Sequence, residues 1–280
     1  MTDLAGKVIG LGMLSWNLRD VARDSLLALI GEAGRLQRNG HSPFLCICDN
    51  GSTDGTAEAL VSLDEIAGIP HRFILNDENR GNAVARNQII DCMLDHGVDY
   101  LFFIDGDAEI VPFSTLAMLR YMENNNTTLA SLGLSRFGES VETLDRKEAS
   151  KCFYSVDENL VETSQLIAPT WYGIYRRIIF DEGVRFEESP PFNGPGWGFE
   201  DNELAFQIVK KGYSIHLFTG MIVLHRAPYS SIHIMRELGI DAKRLYYLRK
   251  QYVINKWAGI SPISDGPLKV IEECEFPVPA

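Results

Sequence analysis

Hydrophobic and polar positions alternate between two periods along the first hundred residues. Val8–Leu14 is an apolar run of strand length. Asp20–Arg38 repeats apolar residues at helical spacing (Leu26, Leu27, Ile30, Ala33, Leu36) and closes on Asn39-Gly40, which predicts an amphipathic helix. Phe44–Asp49 is a continuous apolar run, the pattern of a strand covered on both faces. Thr53 or Asp54 can cap a short helix reaching Leu63, and Arg72–Asn76 reads as a further strand. Asn82–His96 has the form of a helix stopped by Gly97, and Tyr100–Ile104 that of another buried strand. This order predicts an α/β chain with a mostly parallel sheet and helices on both faces. Ligands of such sheets bind beyond the carboxyl ends of the strands, where Asp49 and Asp105 fall.

The second half is less regular. Pro112–Asn124 reads as a helix, Leu129–Leu134 as a strand, and Gly138–Asp157 as a polar loop. Thr170–Phe180, a Pro/Gly-rich segment at Ser189–Gly198, a helix at Glu200–Lys211 and a strand pair around Ile215–His225 follow. Asp241–Lys256 is a final amphipathic stretch. The pattern divides the chain at 1–107, 108–228 and 229–280.

Composition narrows the class. The 280 residues carry 26 Lys+Arg against 38 Asp+Glu, a formal net charge of −12, which argues against a nucleic acid or an anionic membrane as partner. Hydrophobic residues at 45% and charged residues at 23% exclude disorder as the dominant state. No apolar run approaches the roughly 20 residues of a transmembrane helix. Met1–Lys7 lacks a basic leader segment, so the expected location is a reducing cytoplasm. The five cysteines (Cys46, Cys48, Cys92, Cys152, Cys274) show no Cys-x-x-Cys spacing. Cys46 and Cys48 share one face of their strand and read as reduced core residues.

Gly10-Leu11-Gly12 invites a dinucleotide reading, but Ser15 holds the place of the third glycine and the pair lies within the strand. Neither a phosphate-binding Gly-x-x-x-x-Gly-Lys loop nor a Gly-x-Ser-x-Gly elbow is present. Four other elements carry more. Asp49-Asn50-Gly51-Ser52-Thr53-Asp54-Gly55-Thr56 follows a buried strand, although these residues also make ordinary turns. Asn79-Arg80-Gly81-Asn82-Ala83-Val84-Ala85-Arg86-Asn87 sets two arginines about a helix start, as suits either an anionic ligand or a solvated end. Phe102-Phe103-Ile104-Asp105-Gly106-Asp107 places two carboxylates after a buried strand, where they need pairing, solvent or a cation. Gly196-Trp197-Gly198-Phe199-Glu200-Asp201 runs an aromatic into a carboxylate pair at a helix start, where acidic residues also complement the helix dipole. His225 ends a late apolar strand, a place that a satisfied core or surface histidine also takes.

In order and spacing, these elements resemble the GT-A fold glycosyltransferases that use nucleotide sugars, above all the family-2 type and its relatives with a Trp-Gly-x-Glu-Asp motif. The resemblance runs from about Val8 to His225. Leu14-Ser15-Trp16-Asn17 is similar to the family's first strand end, and Gln251–Gly259 to its C-terminal helix. It implies a nucleotide-sugar-binding half at 1–107, a metal- and acceptor-site half of the same domain at 108–228, and a helical tail at 229–280.

The resemblance also implies roles. Asp105 and Gly106 would contact the ribose or sugar, and Asp107 with His225 would ligate a divalent cation. An imidazole ligand favours Mn²⁺ over Mg²⁺. Asp49 or Asn50 would hydrogen-bond the base beside Leu14 and Trp16, with Arg80 and Arg86 toward the base or phosphates. Asp49-Asn50 stands where family members often carry Asp-Asp. Asp201 would be the general base, for which an ordinary carboxylate pKa of about 3.9 suffices. Glu200 would orient a sugar hydroxyl, and Trp197 with Gly198 would receive a sugar ring. The implied activity is metal-dependent transfer of a hexose from a UDP-sugar to a hydroxyl acceptor, with inversion. A retaining transferase of the same fold and a sugar nucleotidyltransferase are the alternatives. The latter's Gly-rich basic loop is missing after the first strand, since Ser15–Asp20 holds no glycine. A non-catalytic sugar-nucleotide binder would need no Glu200-Asp201 pair.

Overall fold

The computed structural model describes residues 6–125, 129–137, 161–164, 166, 168, 170–227, 230–264 and 266–277. The expected loop at Gly138–Asp157 lies outside them, as does Cys152. The chain begins with β1 (Val8–Ser15), α1 (Arg19–Arg38), β2 (Ser42–Asp49), α2 (Thr56–Val61), β3 (His71–Leu75), α3 (Asn82–His96) and β4 (Tyr100–Asp105). Then come β5 (Ala108–Glu109), α4 (Ser114–Asn125), β6 (Leu129–Phe137), β7 (Val161–Ser164), β8 (Tyr172–Arg176) and α5 (Arg177–Asp181). The last elements are α6 (Glu200–Lys210), β9 (Ile215–His225), α7 (Ser230–Glu237), α8 (Ala242–Trp257) and α9 (Pro267–Glu273).

The sheet order is β3-β2-β1-β4-β8-β6-β9-β5, with β7 also paired to β9. β1 to β4 are mutually parallel, as the strand–helix alternation predicts. β8 joins β4 antiparallel and turns the sheet mixed, while β6 and β9 run parallel to each other. Residues 1–107 supply β1–β4, 108–228 supply β5–β9, and 229–280 supply α7–α9.

Alternate residues of the buried strands feed two cores, one on each face. Leu45, Ile47, Phe102 and Ile104 pack with α1 and α4 residues such as Leu26, Leu29 and Met118. Phe44, Cys46, Cys48, Leu101 and Phe103 pack on the other side with Ile89 and Met93 of α3, Phe206 of α6 and Trp257 of α8. β1 explains its own glycines. Ile9, Leu11 and Met13 face α1, while Gly10 and Gly12 face α3. A Cβ on Gly12 would stand 2.2 Å from Met93 Cε and 2.5 Å from Ile89 Cγ2. These glycines let a helix approach the strand, and the space a Cβ would take is filled by side chains of α3 and Val98.

Two expectations need correction. The strand pair around Ile215–His225 is one continuous strand, β9. The turn-like Thr219-Gly220 falls where the β6–β9 register slips between Leu132 and Leu134, so a bulge absorbs it without reversing the chain. The fourth helix begins at Ser114, two residues past Pro112, because Phe113 has a left-handed backbone (φ 69°) that starts no helix.

Candidate functional site

The carboxyl ends of β1 and β4, the end of β9 and the start of α6 surround a cleft of about 480 Å³. Of the residues expected to act, Leu14, Trp16, Asn50, Asp105, Gly106, Asp107, Trp197, Gly198, Glu200, Asp201 and His225 line it.

The Asp105-Gly106-Asp107 turn is fixed from both sides. Asp105 N donates to Trp171 O at 3.2 Å, and Gly106 N donates to Leu14 O at 2.7 Å. The two carboxylates then part company. Asp105 pairs with the guanidinium of Arg86, which is fully buried and also donates to Ile104 O at 3.3 Å. Asp107 accepts from Ser230 Oγ at 3.2 Å, and its Oδ1 lies 3.9 Å from His225 Nδ1. Burial, with the Asp105 charge behind it, pushes the Asp107 carboxyl up to about 7. His225 is brought there because β5 pairs with the end of β9, Ala108 opposite His225. Burial lowers the proton affinity of its ring, which favours the neutral form that binds metals.

Asp107 and His225 fit a divalent cation. A separation of 3.9 Å is too long for a hydrogen bond and lies within the span of two metal bonds of about 2.1 Å each. The donors are one carboxylate oxygen and one imidazole nitrogen, and among the described residues no third His, Cys, Asp or Glu joins them. Such a pair suits an ion whose other ligands come from phosphate and water.

The Glu200-Asp201 pair opens α6 directly after Phe199, whose backbone is left-handed (φ 70°). Asp201 Oδ1 accepts from Thr170 Oγ1 at 2.8 Å. Burial and the neighbouring Glu200 charge push the Asp201 carboxyl up to about 8. This corrects the expectation of an ordinary carboxylate. Glu200 is itself buried, its Oε1 accepting from Asn82 Nδ2 at 3.0 Å and its Oε2 from Arg249 Nη1 at 3.2 Å. Trp197 stacks on Tyr246 with ring centroids 5.8 Å apart and planes 15° from parallel. Trp16 packs with Ile232 and Met235 of α7.

Three expected nucleotide ligands do not line the cleft. Asp49 is buried, and both its oxygens accept from Ser52, at 2.6 Å from Oγ and 2.9 Å from N. Arg80 donates its backbone N–H to Asn50 Oδ1 at 3.2 Å. Arg86 lies one turn inside α3, beneath Asp105. Asn50 reaches the cleft but is bound within an amide network, donating to Asn79 Oδ1 and Gly81 O and accepting from Asn76 Nδ2. Thr170, Ser230 and Tyr246 also line the cleft and Arg249 joins it through Glu200, none of them within a motif that announces it, while Asn82 lines it from within the Asn79–Asn87 element, where no role was expected of it.

The comparisons with known proteins agree with this architecture. The sequence model of the family described as glycosyl transferase family 2 matches residues 42–184, just over half of the chain. No curated protein matches the sequence. Among solved structures, the mannosyltransferase PcManGT from Pyrobaculum calidifontis, in complex with GDP-Man and Mn²⁺, is similar with a TM-score of 0.63. It is 15% identical over 96% of this chain and 70% of that one. S. aureus TarS 1–349 is similar with a TM-score of 0.56 at 14% identity, over 94% of this chain and 75% of that one. No helix among the described residues is long and apolar enough to cross a membrane. The chain is a glycosyltransferase with the GT-A fold and belongs to glycosyl transferase family 2.

Proposed function

We propose that the protein moves a sugar from a UDP-sugar to a hydroxyl acceptor with inversion at the anomeric carbon, and that Asp201 is the general base. The observation that carries this reading is Asp201 itself, a cleft-lining carboxylate held by Thr170 with its pKa raised to about 8. A base poised near the working pH removes a proton most effectively as the acceptor oxygen forms its new bond. The acceptor oxygen bonds to the anomeric carbon, the bond to the diphosphate oxygen breaks, and the acceptor's proton passes to Asp201. Trp197, backed by Tyr246, gives a sugar an aromatic wall. Glu200 keeps acceptor capacity on both oxygens for a sugar hydroxyl beyond its bonds to Asn82 and Arg249.

Asp107 and His225 would hold a divalent cation, Mn²⁺ rather than Mg²⁺ because one donor is imidazole. When bound, such an ion supplies charge neutralisation to the departing nucleoside diphosphate. Asp105, tied down by Arg86, serves the ribose or sugar. The uracil falls to the cleft-lining amides, Asn79 through its side-chain N–H donors and Asn50 once it exchanges a bond of its amide network for the base, with Trp16 lining the same cleft. The buried thiols of Cys46 and Cys48 suit a reducing cytoplasm.

A guanosine donor is the second reading, because a solved structure similar to this chain holds GDP-Man. Competition between UDP and GDP for the Mn²⁺-loaded protein separates the two. Tighter UDP binding supports the uridine donor, and tighter GDP binding replaces it.

A further inference from the structure

The penultimate helix, α8, reaches into the site through one side chain. Arg249 is buried at 1% exposure, and its guanidinium spreads over three partners on two different segments. Nη1 donates to Glu200 Oε2 at 3.2 Å, Nε donates to Pro191 O at 3.2 Å, and Nη2 donates to Gly194 O at 3.2 Å. The same group lies over the Phe192 ring, 5.0 Å from its centroid. The loop it grips leads through Gly196 and Trp197 to Glu200 and Asp201. Gly196 is matched to the clamp, since a Cβ there would stand 2.3 Å from Nη2 and 2.4 Å from Cζ of Arg249. On the other side of Glu200, Asn82 at the start of α3 completes the carboxylate's hydrogen bonds.

We infer that Arg249 is a positioning residue for the transfer reaction, locking Glu200 and the Pro191–Gly198 loop so that Trp197 and Asp201 keep one geometry at the cleft. The inference rests on the proposed roles of Trp197, Glu200 and Asp201. A planar guanidinium can serve three divergent oxygens and a ring face together, whereas an ammonium is a compact point donor. Lysine at 249 therefore keeps the charge and loses the clamp. None of the three bonds touches the Asp105–Asp107 turn or His225, so the nucleotide end of the cleft is left alone.

The test compares wild type with Arg249→Lys and Gly196→Ala. The second variant displaces the guanidinium while keeping every partner, and it carries the test if the first does not fold. Three quantities are read: UDP affinity and site number with Mn²⁺ (GDP if the wild type prefers it), release of nucleoside diphosphate from the matching sugar nucleotide, and amide exchange of residues 192–199. Both variants should bind the diphosphate within about twofold of wild type and lose about 10- to 100-fold in turnover per binding site. Exchange across the loop should quicken about tenfold while β1–β4 stay protected. A merely structural role would lower the number of binding sites and leave turnover per site intact. That result, or unchanged loop exchange in both variants, overturns the inference. If the wild type turns over no sugar nucleotide, the proposed function fails, and loop exchange still decides whether Arg249 holds the loop.

Discussion

The fully buried guanidinium of Arg86 pairs with Asp105, the first carboxylate of the Asp-Gly-Asp turn, and leaves the second, Asp107, to His225 and Ser230. Two residues that the motif presents as equivalent therefore stand in different electrostatic settings. Asp105 has a permanent cation beneath it. Asp107 is buried with its carboxyl pushed up to about 7, a site that gains most from a cation arriving with substrate.

The first prediction concerns stability. Asp105→Ala strands the charge of Arg86 in the core and should destabilise the metal-free protein by about 3 kcal/mol. Asp107→Ala removes a carboxylate that burial already disfavours and should change stability by less than about 1 kcal/mol at pH 7. Urea unfolding of both variants is the measurement. Equal losses would contradict the division of roles.

A second prediction concerns the cation. Asp107→Ala should abolish most of the Mn²⁺-dependent gain in UDP affinity, because it removes the carboxylate of the pair. His225→Ala should weaken that gain less, since water can replace a neutral imidazole. Titration calorimetry with and without Mn²⁺ reads both, and an unchanged gain in both variants rules out this site.

Much of the fold was legible in the sequence, and the reasons are local. Gly81 and Gly97 bracket α3 and fix its bounds, and unbroken apolar runs mark β2 and β4 as covered on both faces. The strand ends and the start of α6 that line the cleft were also legible from local patterning, whereas the roles expected of the residues there came from the family resemblance. Longer-range relations were not. Arg86 at a helix start resembles an anion ligand, but the turn it occupies faces the sheet and so meets Asp105 from below. Arg249 on an amphipathic helix looks like a solvated residue, since its partners lie 49 to 58 residues away in the chain. Thr170 and Asn82 acquire meaning only once β8 and α3 bring them to the carboxylates.

A third prediction tests the packing of β1. Gly12→Ala drives a methyl into Met93 and Ile89 and should cost about 1–3 kcal/mol through overpacking. Thermal unfolding checks it. A neutral substitution would show that α3 does not press on β1 as described.

The fourth prediction is a pH dependence. The folded Asp201 carboxyl titrates near 8, above its ordinary value of 3.8. Between those values the folded state holds a proton that the unfolded state has lost, so this group makes stability fall as pH rises from about 4 to 8. Asp201→Asn should remove that part of the slope. Catalysis runs the other way: kcat/KM in the metal-loaded enzyme should climb through pH 8 as the base loses its proton. Urea titrations across pH and a pH–rate profile check the two halves, and a stability slope identical in wild type and Asp201→Asn would contradict the assignment.

The most direct measurement is turnover of a UDP-sugar by Asp201→Asn beside its Mn²⁺–UDP affinity. Asparagine keeps the size of the side chain and an oxygen to accept from Thr170, yet it cannot accept the acceptor's proton. The account predicts near-normal Mn²⁺–UDP binding with a loss of about 10²–10⁴ in kcat. Turnover close to wild type, with binding intact, would reduce Asp201 to a structural residue in the first turn of α6 and contradict the general-base mechanism.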